Sequence, residues 1–409
     1  MNLTAKNKNN TPKALKQLPV SLIKNFLEGL GYKVSRKEKT PEIISNVFNT
    51  SFDKTALLSY IKQVFLSEES QNDRKHTNRY TTYIIAQTLS NLEYNVDVID
   101  CGDDFIGDSS KYTLVIGLGK VLDYVLQMRQ PNSKTKVIWF GTGCNPIFSN
   151  EITLRRIGDF YKRTNKLILN SSRYIKEDWP LQHEFADWII LHGADFAKST
   201  YRKENITSIN APVFINKSII RTDEEWTIAK QNYVWFGVNG AIHKGLDLVI
   251  ESFAKTKNCN LHICGNLESE IDFLNHYQPI IDANHNITYH GFIDIDSELF
   301  ERTLKNAAFI IYPSASEGNS PSVITCMANG GLIPIVSKNA DINLEGFGIS
   351  IKDLTVDSVI NSIQQSQNLS VEKIKTQSKK IVEETHCINS FEYFKIDFKL
   401  KLQEALQSI

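Results

Sequence analysis

Short apolar runs alternate with amphipathic segments along the first half of the chain. The runs KTALLSYI, NVDVID, YTLVIG, KVIWFG, ADWIILHG and ITSINA each have the length and apolar content of a buried strand. The segment HTNRYTTYIIAQTLSNLEY, which follows the first run after a polar stretch expected to be a long loop, carries an apolar face at helical spacing. Strands that alternate with helices are typical of a parallel sheet covered by helices on both faces. The pattern therefore predicts an α/β fold for this half.

The same alternation restarts after the polar connector NKSIIRTDEEWTIAKQ. The runs NYVWFGV, NLHICG, NITYHGF, AFIIYPS and GLIPIVS predict strands, and the segments GLDLVIESFAKT, DSELFERTLKNA and SVITCMA predict helices. Two consecutive units of this kind predict two doubly wound domains that face a central cleft. Because ligands of such sheets bind beyond the carboxyl ends of the strands, the loops at those ends are the candidate site.

These patterns divide the chain into four predicted segments. They are an N-terminal extension (residues 1–50), a first domain (51–215), a second domain (216–388) and a C-terminal helix (389–409). The last segment, SFEYFKIDFKLKLQEALQSI, is too apolar to lie in solvent. We expect this helix to cross back onto the first domain. Packing on its own domain and anchoring to a membrane are the alternatives.

Length, composition and charge narrow the classes of protein that fit. The chain has 409 residues, more than one compact core holds, and 41% of them are hydrophobic, as in a soluble globular protein. Equal totals of 46 basic and 46 acidic residues give no electrostatic reason to expect a nucleic-acid partner. No apolar run approaches the roughly 20 residues that span a bilayer, and the first residues lack the apolar core of a secretory signal. We therefore expect a cytoplasmic protein whose six scattered cysteines are reduced.

The stretch IIYPSASEGNSPSVITCMANGG predicts an anion site with one acid beside it. Ser320 is suited to cap a helix and Pro321 to begin it, and residues 329–330 are suited to end it. The free N–H groups from Ser320 to Val323 at such a helix start favour phosphate. Phosphate would repel Glu317, whose carboxylate is instead suited to accept hydrogen bonds from sugar hydroxyls. A simple helix-capping role for Glu317 is the alternative.

A second loop with phosphate chemistry lies earlier in the same half. In FGVNGAIHKG, a predicted strand leads into a glycine-rich loop that ends in Lys244 and Gly245, directly before a predicted helix. A lysine that a glycine loop delivers to the carboxyl edge of a sheet is a natural phosphate ligand. Both loops belong to the same predicted sheet and lie at the same edge, so we expect Lys244 and Glu317 to share one site.

Together these motifs resemble the donor domain of retaining GT-B glycosyltransferases of the glycosyl transferases group 1, or family 4-like, type. The resemblance covers residues 233–348 through FGVNGAIHKG and SEGNSPSVITCMANGGLIPIVS, and more loosely the first half through HTNRYTTYIIAQTLSNLEYNVDVID and WFGTGCNPIFSNEITLRRI. Thr325 stands where the family commonly has a second glutamate, and Val238 stands where it often has an arginine. The chain is therefore most similar to a branch that lacks the second glutamate.

The resemblance implies a fold, a reaction and a set of site residues. It implies two Rossmann-like domains and the transfer of a sugar from a nucleotide sugar, with retention of configuration, to a glycan or lipid-linked acceptor of surface polysaccharide synthesis, with peripheral contact at the inner membrane face. Catalytic roles are implied for Glu317 and Lys244. The implied donor-binding residues are Gly237, Asn239, Gly240, Lys244, Gly265, Phe292, Glu317, Gly318, Asn319, Ser320, Ser322, Val323 and Thr325. The implied acceptor-side residues are His76, Asn78, Thr142, Gly143 and Asn145, the last nearest the place of a histidine common in the family.

No metal or cofactor is expected. A carboxylate pair of the Asp-x-Asp type does not follow any predicted strand in a convincing place, and the acidic stretch CGDDFIGD is more typical of a solvated loop. The nucleotide sugar would be a co-substrate, and we predict that the activity needs no metal.

Three other functions remain open at this stage. The stretch VIGLGKVLDYVL suggests a Rossmann oxidoreductase, but it lacks the third glycine of that motif and no acidic ribose ligand follows at the usual distance. A GT-B sugar-nucleotide epimerase or hydrolase would share the fold, and a non-catalytic relative would bind nucleotide sugars without turnover. Hydrolysis of nucleotide sugars with and without acceptors separates these functions.

Overall fold

Two sheets of six parallel strands each form the core of this computed structural model, which describes residues 43–105, 107–175, 181–216 and 219–409. The first sheet consists of β1 (Lys54–Tyr60), β2 (Tyr94–Asp100), β3 (Leu114–Gly117), β4 (Lys136–Gly141), β5 (Trp188–His192) and β6 (Ile206–Ile209). The second consists of β7 (Asn232–Phe236), β8 (Asn260–Cys264), β9 (Ile287–Tyr289), β10 (Phe309–Tyr312), β11 (Ile333–Ser337) and β12 (Ile349–Ile351). Most of the predicted N-terminal extension, residues 1–42, lies outside the described residues.

Helices cover the faces of both sheets. In the first half they are α1 (Glu68–Asn72), α2 (Thr77–Asn91), α3 (Lys120–Met128), α4 (Pro146–Thr164), α5 (Gln182–Phe185) and α6 (Asp195–Ser199). In the second half they are α7 (Asp223–Ala229), α8 (Leu246–Lys255), α9 (Ile271–Ala283), α10 (Glu298–Lys305), α11 (Pro321–Gly330), α12 (Val356–Gln367), α13 (Val371–Ile388) and α14 (Phe391–Ser408). The predicted α/β fold with two doubly wound sheets is confirmed.

The order of the strands locates a switch point in each sheet. The first sheet has the order β2-β1-β3-β4-β5-β6, so chain direction across the sheet reverses between β1 and β3. The second has the order β12-β11-β10-β7-β8-β9, which reverses between β7 and β10. At such a point the loops beyond the carboxyl ends of the two strands separate and leave a crevice for a ligand. The loops after β7 and β10 are the two that carry Lys244 and Glu317.

The strands are buried because both faces of each sheet are covered. In β1, Leu57 and Leu58 are both fully buried, but they point to opposite faces and join different apolar cores. Every residue of β10 is buried, as expected for a central parallel strand. Continuous apolar runs rather than alternating ones are therefore the signal by which these strands can be read from the sequence.

Several elements differ from the sequence prediction. The stretch expected to be a loop after β1 contains helix α1, whose start is capped by the Ser67 hydroxyl accepting from the Ser70 N–H (3.1 Å). The elements α9, β12, α12 and α13 were not predicted. Helix α11 ends one residue later than predicted, because Gly331, with φ 62°, is the left-handed cap. Asn329 remains part of the helix, and its side chain donates to the carbonyl of Thr325 (2.9 Å).

The last helix, α14, packs on the first sheet. Phe394 and Phe398 are fully buried and join the apolar core that contains residues of β1, β2 and β3. The ring of Phe398 meets that of Phe140 in β4 edge-on, with centroids 6.2 Å apart, and Phe394 meets His192 at 5.4 Å. This helix follows the second sheet in the chain and completes the core of the first. None of the helices that the structure describes is long and apolar enough to cross a membrane.

Two leucines on α14 provide a matched test of this packing. Leu402 is 0% exposed and Leu400 is 58% exposed, although they lie on the same helix. We expect Leu402→Ala to lower the free energy of unfolding by about 2–5 kcal/mol, because it removes buried methyl groups and leaves a cavity. Leu400→Ala should change it by about 0.5 kcal/mol or less. Urea denaturation followed by circular dichroism measures both, and equal effects would contradict the docking of α14.

Candidate functional site

The loops that follow β7 and β10 lie side by side at the carboxyl edge of the second sheet. The amide of Ala315 in the second loop donates to the carbonyl of His243 in the first (2.8 Å). Gly245 has φ +71°, and a Cβ there would lie 2.3 Å from a carbonyl oxygen of the second loop, so a glycine is required. This close approach brings Lys244 and Glu317 within range of each other's charge.

Lys244 is a buried cation whose charge is only partly compensated. Its side chain is almost out of contact with solvent, and its ammonium group donates to the carbonyl of Val238. Burial, and after it the charge of Arg173, lowers the pKa of Lys244 to about 8, although Glu317 and Glu270 act in the opposite direction. An anion placed beside Lys244 would stabilise its charged form, so this side chain is suited to bind phosphate.

Glu317 is an ionised carboxylate held by three side chains. Its Oε1 accepts from the hydroxyls of Ser314 (3.2 Å) and Tyr312 (3.4 Å), and its Oε2 faces Nη1 of Arg173 at 3.5 Å. Burial raises the pKa of Glu317, but the cations Arg173 and Lys244 outweigh it, so the pKa lies below its usual value. Glu317 therefore stays an acceptor-only group that can bind hydroxyls of a ligand.

His243, directly before Lys244, links both loops to helix α4. Its Nε2 lies 2.8 Å from the carbonyl oxygen of Ser316, and its Nδ1 lies 2.9 Å from the hydroxyl of Thr153. Because a carbonyl can only accept, Nε2 carries the proton and Nδ1 accepts from Thr153. Burial, followed by the charge of Arg173, lowers the pKa of His243 to about 4, so the ring is neutral near pH 7. Its role is to hold the Glu317 loop in place.

A cavity of about 450 Å³ opens beside Glu317 and is lined by both halves of the chain. The first half contributes Trp139, Thr142 and Gly143, and the second contributes His243 and Glu317. The lining thus combines an aromatic wall with hydroxyl, carboxylate and backbone groups, a mixture that is suited to a small polar ligand such as a sugar. The predicted acceptor-side residues Thr142 and Gly143 lie here, opposite the predicted catalytic glutamate.

A second cavity, of about 940 Å³, lies where helix α2 begins and also has walls from both halves. Its lining includes the predicted residues His76 and Asn78 from the first half and Gly265, Phe292, Ser322 and Thr325 from the second. His76 caps α2, with its ring accepting from the N–H of Arg79 (3.4 Å). The structure therefore places these two acceptor-side candidates beside donor-side candidates, and not beside Thr142 and Gly143.

Gly318 brings the backbones of the two halves into direct contact. A Cβ on Gly318 would lie 2.4 Å from the Cα of Gly143 and 2.3 Å from the carbonyl oxygen of His192, so no larger residue fits. The thiol of Cys144 donates to the carbonyl of Glu317 (3.1 Å) across the same contact. The predicted donor residue Gly318 thus joins the two halves beside the catalytic candidate.

Asn319 and Asp341 also connect the two halves. The Asn319 Oδ1 accepts from the N–H of Ala211 (3.0 Å), and its Nδ2 donates to the carbonyl of Asp341 (3.3 Å). The buried Asp341 carboxylate accepts from the N–H groups of Phe196 (3.0 Å) and Ala197 (3.2 Å) at the start of α6. The Asn319 side chain is therefore occupied within the protein, in a structural contact that its neighbourhood in the sequence did not indicate.

Some of the backbone donors expected for phosphate are already used. The N–H of Ser320 donates to the carbonyl of Ala340 (3.2 Å), which corrects the prediction of free N–H groups from Ser320 onward. Pro321 has no N–H, so the donors left at the start of α11 are those of Ser322 and Val323. In the other loop, the N–H of Gly240 donates to the buried carboxylate of Glu270 (2.5 Å).

The remaining predicted residues have local structural contacts. The N–H of Gly237 donates to the carbonyl of Cys264 (3.0 Å), and Asn239, with φ 49°, accepts from the hydroxyl of Ser269 (3.2 Å). Asn145 is buried at the start of α4, where its Oδ1 accepts from the N–H of Ile147 (2.8 Å). It caps the helix and does not line either cavity.

Arg173, His243 and Asp341 are site residues that the sequence did not reveal. Arg173 lies in the polar segment NSSRYIKEDWP, which has no strand or helix pattern to locate it. His243 is adjacent to Lys244, so the motif itself was a signal that could have identified it. The Asp341 carboxylate accepts hydrogen bonds from the start of α6 in the other half, and no local sequence pattern indicates this contact.

Cysteine and metal chemistry is not evident in the part of the chain that the structure describes. All six cysteines are unpaired, and burial raises the pKa of Cys144, beside Glu317, to about 12. Among the described residues, no group of three or more His, Cys, Asp or Glu side chains is placed to hold a metal ion.

Comparison with known proteins shows similarity in structure only. No family model matches the chain, and no curated protein matches it. The structure is similar to sucrose-phosphate synthase from Thermosynechococcus elongatus, with TM-score 0.57 and 13% identity over 87% of this chain and 100% of that one. It is also similar to HepE from Anabaena in complex with UDP and glucose (TM-score 0.53, 12% identity, 87% and 100%) and to the apo lipopolysaccharide outer core galactosyltransferase WaaB (0.52, 12%, 87% and 99%).

At these identities the similarity concerns the fold. Each of the three structures is covered almost entirely by the alignment, so the similarity extends over both sheets. The two six-stranded parallel sheets, their switch points and these similarities show that the chain has the GT-B fold.

Proposed function

We propose that this chain is a glycosyltransferase that moves a sugar from a nucleotide-sugar donor to a glycan or lipid-linked acceptor, with retention of configuration. The observation that carries the proposal is the placement of Lys244 and Glu317 on adjacent loops at the switch point of the second sheet. Glu317 also lines a cavity of about 450 Å³ to which Thr142 and Gly143 of the first half contribute. A phosphate-binding cation and a hydroxyl-binding carboxylate side by side match the two parts of a nucleotide sugar.

The two cavities suggest where the substrates bind. The nucleoside would occupy the cavity of about 940 Å³, whose wall includes Ser322 at the start of α11 and the exposed ring of Phe292. The diphosphate would then lie between that helix start and Lys244, and the sugar would contact Glu317. The acceptor would enter the cavity of about 450 Å³ from the Thr142 side.

The proposed mechanism uses charge and position. As the bond between the anomeric carbon and the phosphate oxygen breaks, negative charge develops on the departing diphosphate. Lys244 and the N–H groups of Ser322 and Val323 would stabilise this charge in a site with little water. Glu317 would hold the sugar hydroxyls so that the acceptor oxygen meets the anomeric carbon in a reactive orientation. The acceptor hydroxyl would pass its proton to the departing diphosphate as the new glycosidic bond forms.

A binding panel followed by a transfer assay tests the proposal. Melting temperatures and calorimetry with nucleoside diphosphates and nucleotide sugars identify the donor. Release of nucleoside diphosphate with and without acceptors then separates transfer from hydrolysis and from binding alone, and NMR of the product shows its anomeric configuration. If no nucleotide binds, the proposal fails. Sedimentation with anionic lipid vesicles tests the peripheral contact proposed for the inner membrane face.

We expect transfer to continue at an unchanged rate after treatment with EDTA. The charge of the leaving diphosphate would be stabilised by Lys244 and backbone N–H groups, so the proposed mechanism assigns no step to a metal. Initial rates before and after chelation, and after addition of Mg²⁺ or Mn²⁺, measure this. Loss of activity that Mg²⁺ or Mn²⁺ restores would refute the metal-independent mechanism.

Affinity for a nucleoside diphosphate should fall as the pH rises above 8. With a pKa of about 8 in the free protein, Lys244 is mostly charged at pH 7 and mostly neutral at pH 9. A bound diphosphate raises this pKa, so binding at pH 9 requires uptake of a proton and weakens by about tenfold. Calorimetry between pH 7 and 9, in buffers of different ionisation enthalpy, detects both effects. A pH-independent affinity would contradict the role of Lys244.

A further inference from the structure

Arg173 belongs to a segment of the first half that is fixed against the Lys244 loop. The carbonyl of Ser171 accepts from the N–H groups of Ile242 (3.2 Å) and His243 (3.3 Å), which are in that loop. On the other side of Arg173, the backbone of Ile175 exchanges two hydrogen bonds with the side chain of Asn150 in α4 (2.7 and 2.8 Å). The residues two positions before and two positions after Arg173 are thus anchored, so its backbone position beside the second half is defined.

The aliphatic part of Arg173 lies directly over Gly240. A Cβ on Gly240 would be 2.5 Å from the Cγ of Arg173 and 3.0 Å from its Cδ, and Gly240 has φ +84°. Two features of this position, space and backbone conformation, therefore require glycine. The guanidinium beyond this contact is close enough to Lys244 to be the second-largest cause of its lowered pKa.

The ion pair with Glu317 leaves the charge of Arg173 available to a ligand. Its Nη1 lies 3.5 Å from Oε2 of Glu317, at the outer limit of a hydrogen bond, and 49% of its side chain is exposed. Glu317 already accepts from Ser314 and Tyr312 through its other oxygen. The pair is long and half-exposed on the arginine side, so another anion can compete with the buried Glu317 carboxylate for the guanidinium.

A diphosphate needs more positive charge than Lys244 supplies. It carries more than one negative charge, whereas Lys244 is a single cation with a pKa of about 8 and Val238, beside it, is apolar. Arg173 is the only arginine or lysine among the described residues that line the cavity beside Glu317. The two basic side chains that line the larger cavity, Lys75 and Arg79, already face the carboxylates of Asp296 and Asp73. A guanidinium has paired N–H donors that match the geometry of a phosphate group, whereas an ammonium has no such pair.

We infer that Arg173 is a donor-site residue that the first half supplies to the diphosphate of the nucleotide sugar, as the partner of Lys244. The inference rests on the proposed function. In the free protein Glu317 holds the guanidinium. When the donor binds, sugar hydroxyls replace the guanidinium at Glu317, and the side chain turns about its anchored stem toward the phosphates. The diphosphate site is then complete only when both halves of the chain contribute.

The Arg173→Met variant tests the inference, with Arg155→Met as its matched control. Arg155 is an exposed arginine of α4 that pairs with Glu151 on the same helix (2.6 Å). For the nucleoside diphosphate that binds the wild type, we expect Arg173→Met to weaken affinity by about tenfold to a hundredfold. Affinity for the matching nucleoside, which has no phosphate, should stay unchanged, and Arg155→Met should bind both as the wild type does.

The variant should also shift the pH dependence of diphosphate binding, so affinities are compared at pH 7, where Lys244 is mostly charged with or without Arg173. Because the charge of Arg173 lowers the pKa of Lys244, its removal should raise the pH at which diphosphate affinity declines. Arg173→Lys should recover part of the affinity, since it restores charge without the paired donors.

The outcomes separate this inference from the proposed function. If Arg173→Met binds the diphosphate as tightly as the wild type and loses only transfer rate, Arg173 merely orients Glu317 and the inference is overturned. If no nucleoside diphosphate or nucleotide sugar binds the wild type, the proposed function fails and the inference fails with it. A loss of affinity that is equal for diphosphate and nucleoside would also overturn the inference, because it would reflect disturbed packing.

Discussion

The Glu317→Gln variant should transfer sugar about a hundredfold or more slowly than the wild type while it binds nucleoside diphosphate with similar affinity. The substitution preserves shape but removes the negative charge and one of the two acceptor atoms at Oε1 and Oε2. Sugar hydroxyls would then lose the group that orients them, and misorientation of a reacting centre lowers the rate by about a hundredfold. Turnover with saturating donor and calorimetry with the diphosphate measure the two quantities separately.

A matched control distinguishes this role from helix capping. Glu151→Gln changes an exposed glutamate of α4 that pairs with Arg155 and lines neither cavity, so it should leave turnover unchanged. If Glu317→Gln instead melts several degrees lower and keeps normal turnover, the carboxylate is structural. Its hydrogen bonds from Ser314 and Tyr312 would then be its main contribution.

Lys244→Met should bind nucleoside diphosphate about tenfold to a hundredfold more weakly and lose more than that in turnover. Methionine fills much of the volume of the buried lysine stem, so the variant removes the charge with little change in packing. The loss in affinity is that of a charge-assisted contact, about 1.5–3 kcal/mol. The larger loss in turnover follows because charge on the diphosphate increases as the sugar departs.

The control for this variant is Lys162→Met on the outer face of α4. The Lys162 side chain is 81% exposed, so its replacement should change neither affinity nor turnover. Unchanged diphosphate affinity in a folded Lys244→Met variant would remove Lys244 from the site. Its hydrogen bond to the Val238 carbonyl would then be an internal contact of the loop.

The sequence alone was sufficient for eleven of the twelve strands, all except β12, and for the two loops of the second half. Buried parallel strands such as β10 are continuous apolar runs, and Gly-rich or small-residue loops mark where they end. Lys244 and Glu317 follow β7 and β10 directly, so their common edge could be inferred from the chain order alone. This inference succeeds because in a parallel sheet every strand ends at the same edge.

The extent of the site could not be read in the same way. The sequence grouped His76 and Asn78 with Thr142 and Gly143, but the structure separates them into two cavities. It also implied a ligand contact for Asn319, whose side chain is occupied by Ala211 and Asp341. Both differences arise because a residue's neighbours across two domains depend on how the domains pack, and hydrophobic periodicity records only which face of an element is buried.

Arg173 shows what only the tertiary structure decided. Nothing in its polar segment indicates a site, and its partner Glu317 is 144 positions away in the chain. Its place follows from backbone hydrogen bonds between Ser171 and the Lys244 loop and from the space that Gly240 leaves for its stem. The sequence by itself determined the two sheets and the loops of the second half, because strand burial and loop chemistry are local properties. The packing of the halves decided which cations and carboxylates meet, because contacts between distant segments form only when both surfaces are folded.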